Sequence, residues 1–433
     1  MNHLAFLFFS NCSLSRALAL TLFLINVSTA SPCLANYGYV TNAGNDTVSV
    51  FDTDNNSVVA TINLPVDSNC QFVAITPDGS YAYVSCLYLN TVVVINTSTN
   101  TIETTISGFT NPAGIAFSPD GSLAYVTNSG SDTVSIVNTS THLITGSFTA
   151  ASGARSIVIT PDNLYAYVAN YTDESTSVID ITNNYSNART IAGGAGTFAA
   201  AISPTGDFVY VTHEVQNCLT FIQTSNNTTA ITITTGSSPR YPSVTADGQY
   251  VYVPNKESGD VSVIATGTQT VTATITLPSG AAPYGSAMFA DNNRAYITDL
   301  QGYVHVINTE NNQPVDIISV GSSPTSVAIR PSATPNPPIS LACYEVKNRF
   351  LTQADVINVI TWEAASSGTV ATSYIIYRDS LLNPIGEVLA SEPLVFHDHN
   401  RRPNTQAVYY LKAVSETGIK SSEALISIHG GPI

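Results

Sequence analysis

The chain has 433 residues, 10% of them charged and 44% hydrophobic, and a formal net charge of -16. That length allows about two or three domains. So acidic a body repels phosphate backbones and anionic bilayers, which argues against general nucleic-acid binding and adhesion to anionic membranes.

Residues 1–35 read as a secretory signal. Arg16 precedes the apolar run Ala17 to Ile25, and small residues then offer cleavage after Ala30 or Ala35. The other reading is an N-terminal membrane anchor, but the run is short for a span. No other segment is long and apolar enough to cross a bilayer, so the mature chain should carry no transmembrane segment. The expected location is periplasmic, cell-surface or extracellular, where disulfides can form. Cleavage after Ala35 would leave Cys70, Cys86, Cys218 and Cys343, with no CxxC pair pointing to zinc or redox chemistry.

From Asn36 the chain repeats itself. Tyr39-Val40-Thr41-Asn42 returns as Tyr83-Val84-Ser85-Cys86, Tyr125-Val126-Thr127-Asn128, Tyr167-Val168-Ala169-Asn170, Tyr210-Val211-Thr212-His213, Tyr252-Val253-Pro254-Asn255 and Tyr296-Ile297-Thr298-Asp299. The starts lie 44, 42, 42, 43, 42 and 44 residues apart. Each copy has an apolar strand before a Pro-Asp-Gly-type turn, the tyrosine strand, an alternating strand such as Thr133 to Val137, and an outer strand such as Ser57 to Ile62. Four strands in about 42 residues make a propeller blade. The first copy lacks its leading strand, and an orphan strand at Pro324 to Pro331 matches the missing piece. One blade is therefore expected to be shared by both ends of the array, closing a ring of seven.

These residues resemble the YVTN family of β-propeller repeat proteins, over roughly residues 36–331. The resemblance implies an exported or cell-surface protein of bacteria or archaea. It implies little about chemistry: the wider seven-bladed group includes lactonases, lyases and cofactor-bound oxidoreductases, and a propeller does not name a reaction.

Residues 332–338 read as a stiff Pro-rich linker. Beyond it, Val356 to Glu363, Ser373 to Arg378, Ala407 to Val414 and Ala424 to Ile428 read as strands. An early Trp362 and a late Tyr409-Tyr410-Leu411-Lys412-Ala413-Val414 are similar to fibronectin type III domains; another small sandwich is the alternative. The loop Ser415 to Ser422 has no Arg-Gly-Asp. The expected fold class is all-β: a seven-bladed β-propeller followed by a small fibronectin type III-like β-sandwich at 339–433.

Catalytic signatures are sparse. His142, His213 and His305 fall at different points of the repeat, so no shared metal site is expected, and His213 reads as a turn residue replacing Asn. Nucleophile and phosphate-loop motifs are absent. Asp52 to Asn56 has the alternating oxygens of a calcium loop, but sister repeats carry Asn96-Thr97-Ser98-Thr99 there, which reads as a turn. No cofactor or metal is called for.

Counting six residues back from each turn proline, or the alanine replacing it, gives Gln71, Ala113, Arg155, Phe198, Arg240, Tyr284 and Thr325. They should ring one mouth of the central channel, with His213 and Asp299 on the same face. Only six basic residues lie between Asn36 and Pro335, and two of them fall here. Gln71, Arg155, Phe198, Arg240 and Tyr284 are thus the candidate ligand residues, for an anionic group held by arginine forks. The alternative is that each arginine pairs with an acidic neighbour. A hairpin register places Cys70 nearly opposite Cys86, with position 70 facing 87, so a disulfide is expected. The favoured function is a non-catalytic binding or surface protein with a protein, glycan or small anionic partner. The alternative is a lyase or lactonase acting on a small anionic molecule at the channel mouth.

Overall fold

The computed structural model describes residues 37–290, 292–331, 339–350, 353–363, 373–379, 384–390, 394–398, 407–414 and 424–428. The signal at 1–35, the linker at 332–338 and the loop 415–422 lie outside the described residues.

Twenty-eight strands between Tyr37 and Ile329 form seven four-stranded antiparallel sheets. Blade 1 is closed as expected: Pro324–Ile329 pairs with Tyr37–Asn42, with Val40 opposite Val327. Blades 2 to 7 begin at Cys70, Pro112, Ala154, Thr197, Pro239 and Pro283. The alternation of the repeat explains the packing. The tyrosine and the valine or isoleucine after it lie on opposite faces of their strand, and both are buried in every blade. Each interblade layer is therefore a hydrophobic sandwich, such as Val40, Phe51, Tyr296 and Val304 between blades 7 and 1.

The buried tyrosines also latch neighbouring blades together. Tyr252 Oη donates to Asn312 Oδ1 of the next blade at 2.7 Å, and Tyr83 Oη meets His142 Nδ1 at 2.7 Å. Both partners sit at turn corners with φ of 57° and 55°, a conformation that Asn and His tolerate better than most residues.

A second regularity shapes the channel. In blades 1, 2, 4 and 5 one extra residue is inserted in the innermost strand: Thr325, Gln71, Arg155 and Phe198 each lack a cross-strand partner. A β-bulge of this kind turns its side chain out of the ladder. Blade 6 departs furthest. Its inner strand is reduced to Ser243–Val244 and an isolated bridge between Pro239 and Asn255. Pro239, Pro242 and Pro254 have no N–H to give the ladder, and the N–H of Tyr241 pairs instead with the carbonyl of Tyr284 in blade 7, at 3.1 Å.

After residue 338, seven strands form a three-stranded sheet (Ile339–Phe350, Gln353–Glu363, Val395–Asp398) and a four-stranded one (Pro384–Leu389, Ser373–Arg378, Ala407–Val414, Ala424–Ile428). Ile360 and Trp362 of the first sheet share a core with Tyr374, Ile376, Tyr409 and Leu411 of the second. The fold class is all-β throughout, and no helix among the described residues is long and apolar enough to cross a membrane.

Candidate functional site

Two of the bulged residues, Arg155 and Phe198, meet Arg240 and Tyr284 at the channel. The Arg155 guanidinium carbon lies 4.0 Å from the Phe198 ring centroid, and that of Arg240 lies 4.4 Å from the same ring and 5.1 Å from Tyr284. Arg155 also donates to Tyr284 Oη at 3.3 Å. Four of the five candidate ligand residues are thus in mutual contact. Gln71 instead donates to Asn69 Oδ1 within its own blade, at 2.7 Å.

Aromatic side chains cross the channel as well as ringing it. Tyr241 of blade 6 packs 5.2 Å from Phe72 of blade 2, on the far side of the ring, and 5.2 Å from Phe198. Phe198, Tyr241 and Tyr284 form one cluster with Phe72 against its edge. Tyr241 and Phe72 were not among the candidates from the sequence. Tyr241 sits one position past the aligned ring and enters it only because the prolines break the inner strand.

The two arginines differ in charge balance. Arg240 is 5% exposed and forms an ion pair with Glu214, with a second bond to Ser238 Oγ at 3.1 Å. For Arg240, pairing with an acidic neighbour is therefore what occurs. Arg155 has no carboxylate partner among the described residues, and its Nε has no acceptor. Burial pushes the Tyr241 phenol above its ordinary range although Arg155 pulls the other way, so Tyr241 stays a neutral hydroxyl.

The residues ending the tyrosine strands prove to be clamps. Asn42 Nδ2 donates to Thr47 and Ser49, and Asn128, Asn170 and Asn255 repeat the pattern in their blades. His213 does the same work. Its Nδ1 accepts the Gly194 N–H at 3.1 Å and its Nε2 meets Thr220 Oγ1 at 2.8 Å. Burial lowers its pKa to about 4, so it is neutral, with both nitrogens occupied. In blade 7 the clamp is Asp299, bonded to His305 Nε2 at 3.0 Å. Burial opposes the charge on Asp299. The His305 bond and the N–H groups of Ala282 and Gln301 outweigh that cost and hold its carboxyl below the usual range. Asp52 Oδ1 accepts the N–H of Asp54 at 2.7 Å, closing the turn that the sister repeats share.

The disulfide expected between Cys70 and Cys86 is not formed: both are buried free thiols. Their register also differs from expectation. Cys70 lies opposite Cys86 itself, not 87, because Gln71 is a bulge and shifts the pairing by one residue.

The comparisons agree with this architecture. A solved protein of unknown function from Desulfotomaculum acetoxidans is similar at a TM-score of 0.61 and 19% identity, covering 68% of this chain and 99% of that one. Kuenenia stuttgartiensis hydrazine synthase is similar at 0.58 and 20%, covering 70% and 97%. Dihydro-heme d1 dehydrogenase NirN in complex with DHE is similar at 0.54 and 13%, covering 68% and 75%. At such identities the likeness shows the fold alone. No curated protein matches the sequence. The family described as "Lactonase, 7-bladed beta-propeller" matches residues 34–185 and 138–289, more than half the chain. With seven blades in a closed ring, the chain belongs to the seven-bladed β-propeller lactonase family.

Proposed function

We propose that this is an exported binding or cell-surface protein whose channel mouth holds a small anionic molecule at Arg155. The observation that carries the reading is the difference between the two arginines. Glu214 pairs directly with Arg240, whereas Arg155 has no carboxylate within ion-pair distance among the described residues, feels Glu214 only at longer range, and has an Nε without an acceptor. A partly desolvated cation without a direct ion-pair partner favours a carboxylate or phosphate that can take its fork. Tyr284, partly exposed beside it, adds apolar and hydroxyl contact, as small-ligand sites do, while the buried Phe198 and Tyr241 back the two. The YVTN-type repeat suits a surface protein, and the C-terminal sandwich, of fibronectin type III kind, would serve as a second interaction or spacing module.

Family membership favours a second reading, an enzyme acting on a lactone or another small carboxylated molecule at the same mouth. Glu214 would then be the base, since both ring nitrogens of His213 are held in buried hydrogen bonds. A thermal-shift screen with small carboxylates, phosphates and lactones tests the first reading, and acid release from the lactones tests the second. Stabilisation without turnover supports a binding protein. Turnover that falls in Glu214→Gln supports the enzyme.

A further inference from the structure

Blade 7 departs from the usual repeat in features that lie together. The connection into it, between Thr276 and Pro283, has six residues, as does that between Asn63 and Cys70, where Thr149 and Ala154 are joined by four. Its next turn is shorter by one: Asp299 pairs with Tyr303, whereas Asn42 pairs with Thr47 five positions on. His305 stands where sister strands carry Ser49, Ser135, Ser177 and Ser262. The result is a groove of about 500 Å³ between blades 6 and 7, lined by Pro278, Asp299, Gln301, Tyr303, His305 and Ile317. Gly280 in the longer connection has open space around it, with no atom within 4 Å of where a Cβ would stand.

The polar wall of this groove is incomplete. Asp299 is saturated: Oδ1 accepts the N–H of Ala282 and Gln301, and Oδ2 meets His305 Nε2. His305 is only 2% exposed and its Nδ1 has no partner. With Nε2 committed to the carboxylate, Nδ1 is the ring atom left to bond a ligand. Left unpaired, a buried polar atom of this kind is unfavourable. The Asn–Ser clamps of three sister blades also leave a buried acceptor unpaired, at Asn42, Asn170 and Asn255 Oδ1; at His305 the unpaired atom belongs to the wall of a groove.

The other walls narrow the ligand class. No Lys or Arg lines the groove and one buried carboxylate does, so an anion is disfavoured. Tyr303 is 41% and Ile317 47% exposed, with Pro278 beside them, which offers a flat apolar floor. The volume lies within the range of about 300–1,000 Å³ typical of small-ligand sites. We propose that this groove is a second ligand site for a neutral saccharide ring, its C–H face on Tyr303 and a hydroxyl hydrogen-bonded to His305 Nδ1.

The test is calorimetric titration of the full chain with glucose, galactose, mannose, xylose and N-acetylglucosamine. At least one should bind, and Tyr303→Ala and His305→Ser should each weaken it at least tenfold. Arg155→Ala should leave it unchanged, which separates this site from the channel mouth. Should His305→Ser disturb folding, the exposed Tyr303→Ala decides alone. The proposal is overturned if none of the five sugars binds, if binding survives Tyr303→Ala, or if it depends on Arg155.

Discussion

Arg155 places its guanidinium carbon 4.0 Å from the centre of the Phe198 ring, and the ring is 1% exposed. Arg240 lies over the same ring with Glu214 as its counter-ion. The two side chains should therefore respond oppositely to truncation. Arg240→Ala leaves Glu214 without its partner and should cost about 3–5 kcal/mol. Arg155→Ala loses a cation–π contact of about 0.5–2 kcal/mol but relieves repulsion by Arg240, so its net effect should stay within about 1 kcal/mol. Urea denaturation of the two variants checks the order; equal losses would mean that both arginines are structural.

His213 should make the propeller acid-sensitive. Its pKa is about 4 in the folded chain against about 6.5 for an unperturbed histidine. The unfolded chain thus binds the proton more tightly, and protonation favours unfolding. The contribution is complete above pH 6.5 and fades as pH falls toward 4, by ~3 kcal/mol in all. His213→Asn, the residue of four sister blades, should remove this slope. Melting temperatures of both proteins between pH 4 and 7 test it, and parallel curves would contradict it.

Cys70 and Cys86 should resist labelling yet be able to join. Burial pushes the Cys70 thiol up to about 12 and the Cys86 thiol up as well, so little thiolate is present. The native protein should react with iodoacetamide only slowly. Because the two are direct cross-strand partners, copper-catalysed oxidation should link them, with stabilisation of about 3 kcal/mol on the chain-entropy picture. Peptide mapping that finds both thiols free after oxidation would refute this.

Tyr252→Phe removes one interblade latch while keeping the ring. The lost bond to Asn312 should cost about 1 kcal/mol, a little more if the Asn312 acceptor is left dry. Val59→Ala, on an exposed outer strand, is the control and should change stability by less than about 0.5 kcal/mol.

Blade number and ring closure were legible because they follow from a period, and the Pro324–Ile329 strand had only one vacancy to fill. The ring of bulged residues was legible because the offset from the turn proline is constant. What escaped were contacts made by breaking the repeat. Tyr241 reaches the cluster only through the proline-disrupted strand of blade 6, and Phe72 meets it from across the channel. The Cys70–Cys86 register slipped by one because a bulge leaves no mark in composition. In the C-terminal module, Ile339–Phe350 was missed because Glu345, Lys347 and Arg349 break up its apolar residues. Pro384–Leu389 and Val395–Asp398 are short.

The central claim is that Arg155 is the open cation of an anion site. Isothermal titration of the wild-type protein and Arg155→Ala with inorganic phosphate and a set of small mono- and dicarboxylates tests it most directly. The account predicts that at least one anion binds the wild type, and that Arg155→Ala loses at least tenfold in affinity with its melting temperature nearly unchanged. Anion binding of equal strength in both proteins, or none in the wild type, would contradict it.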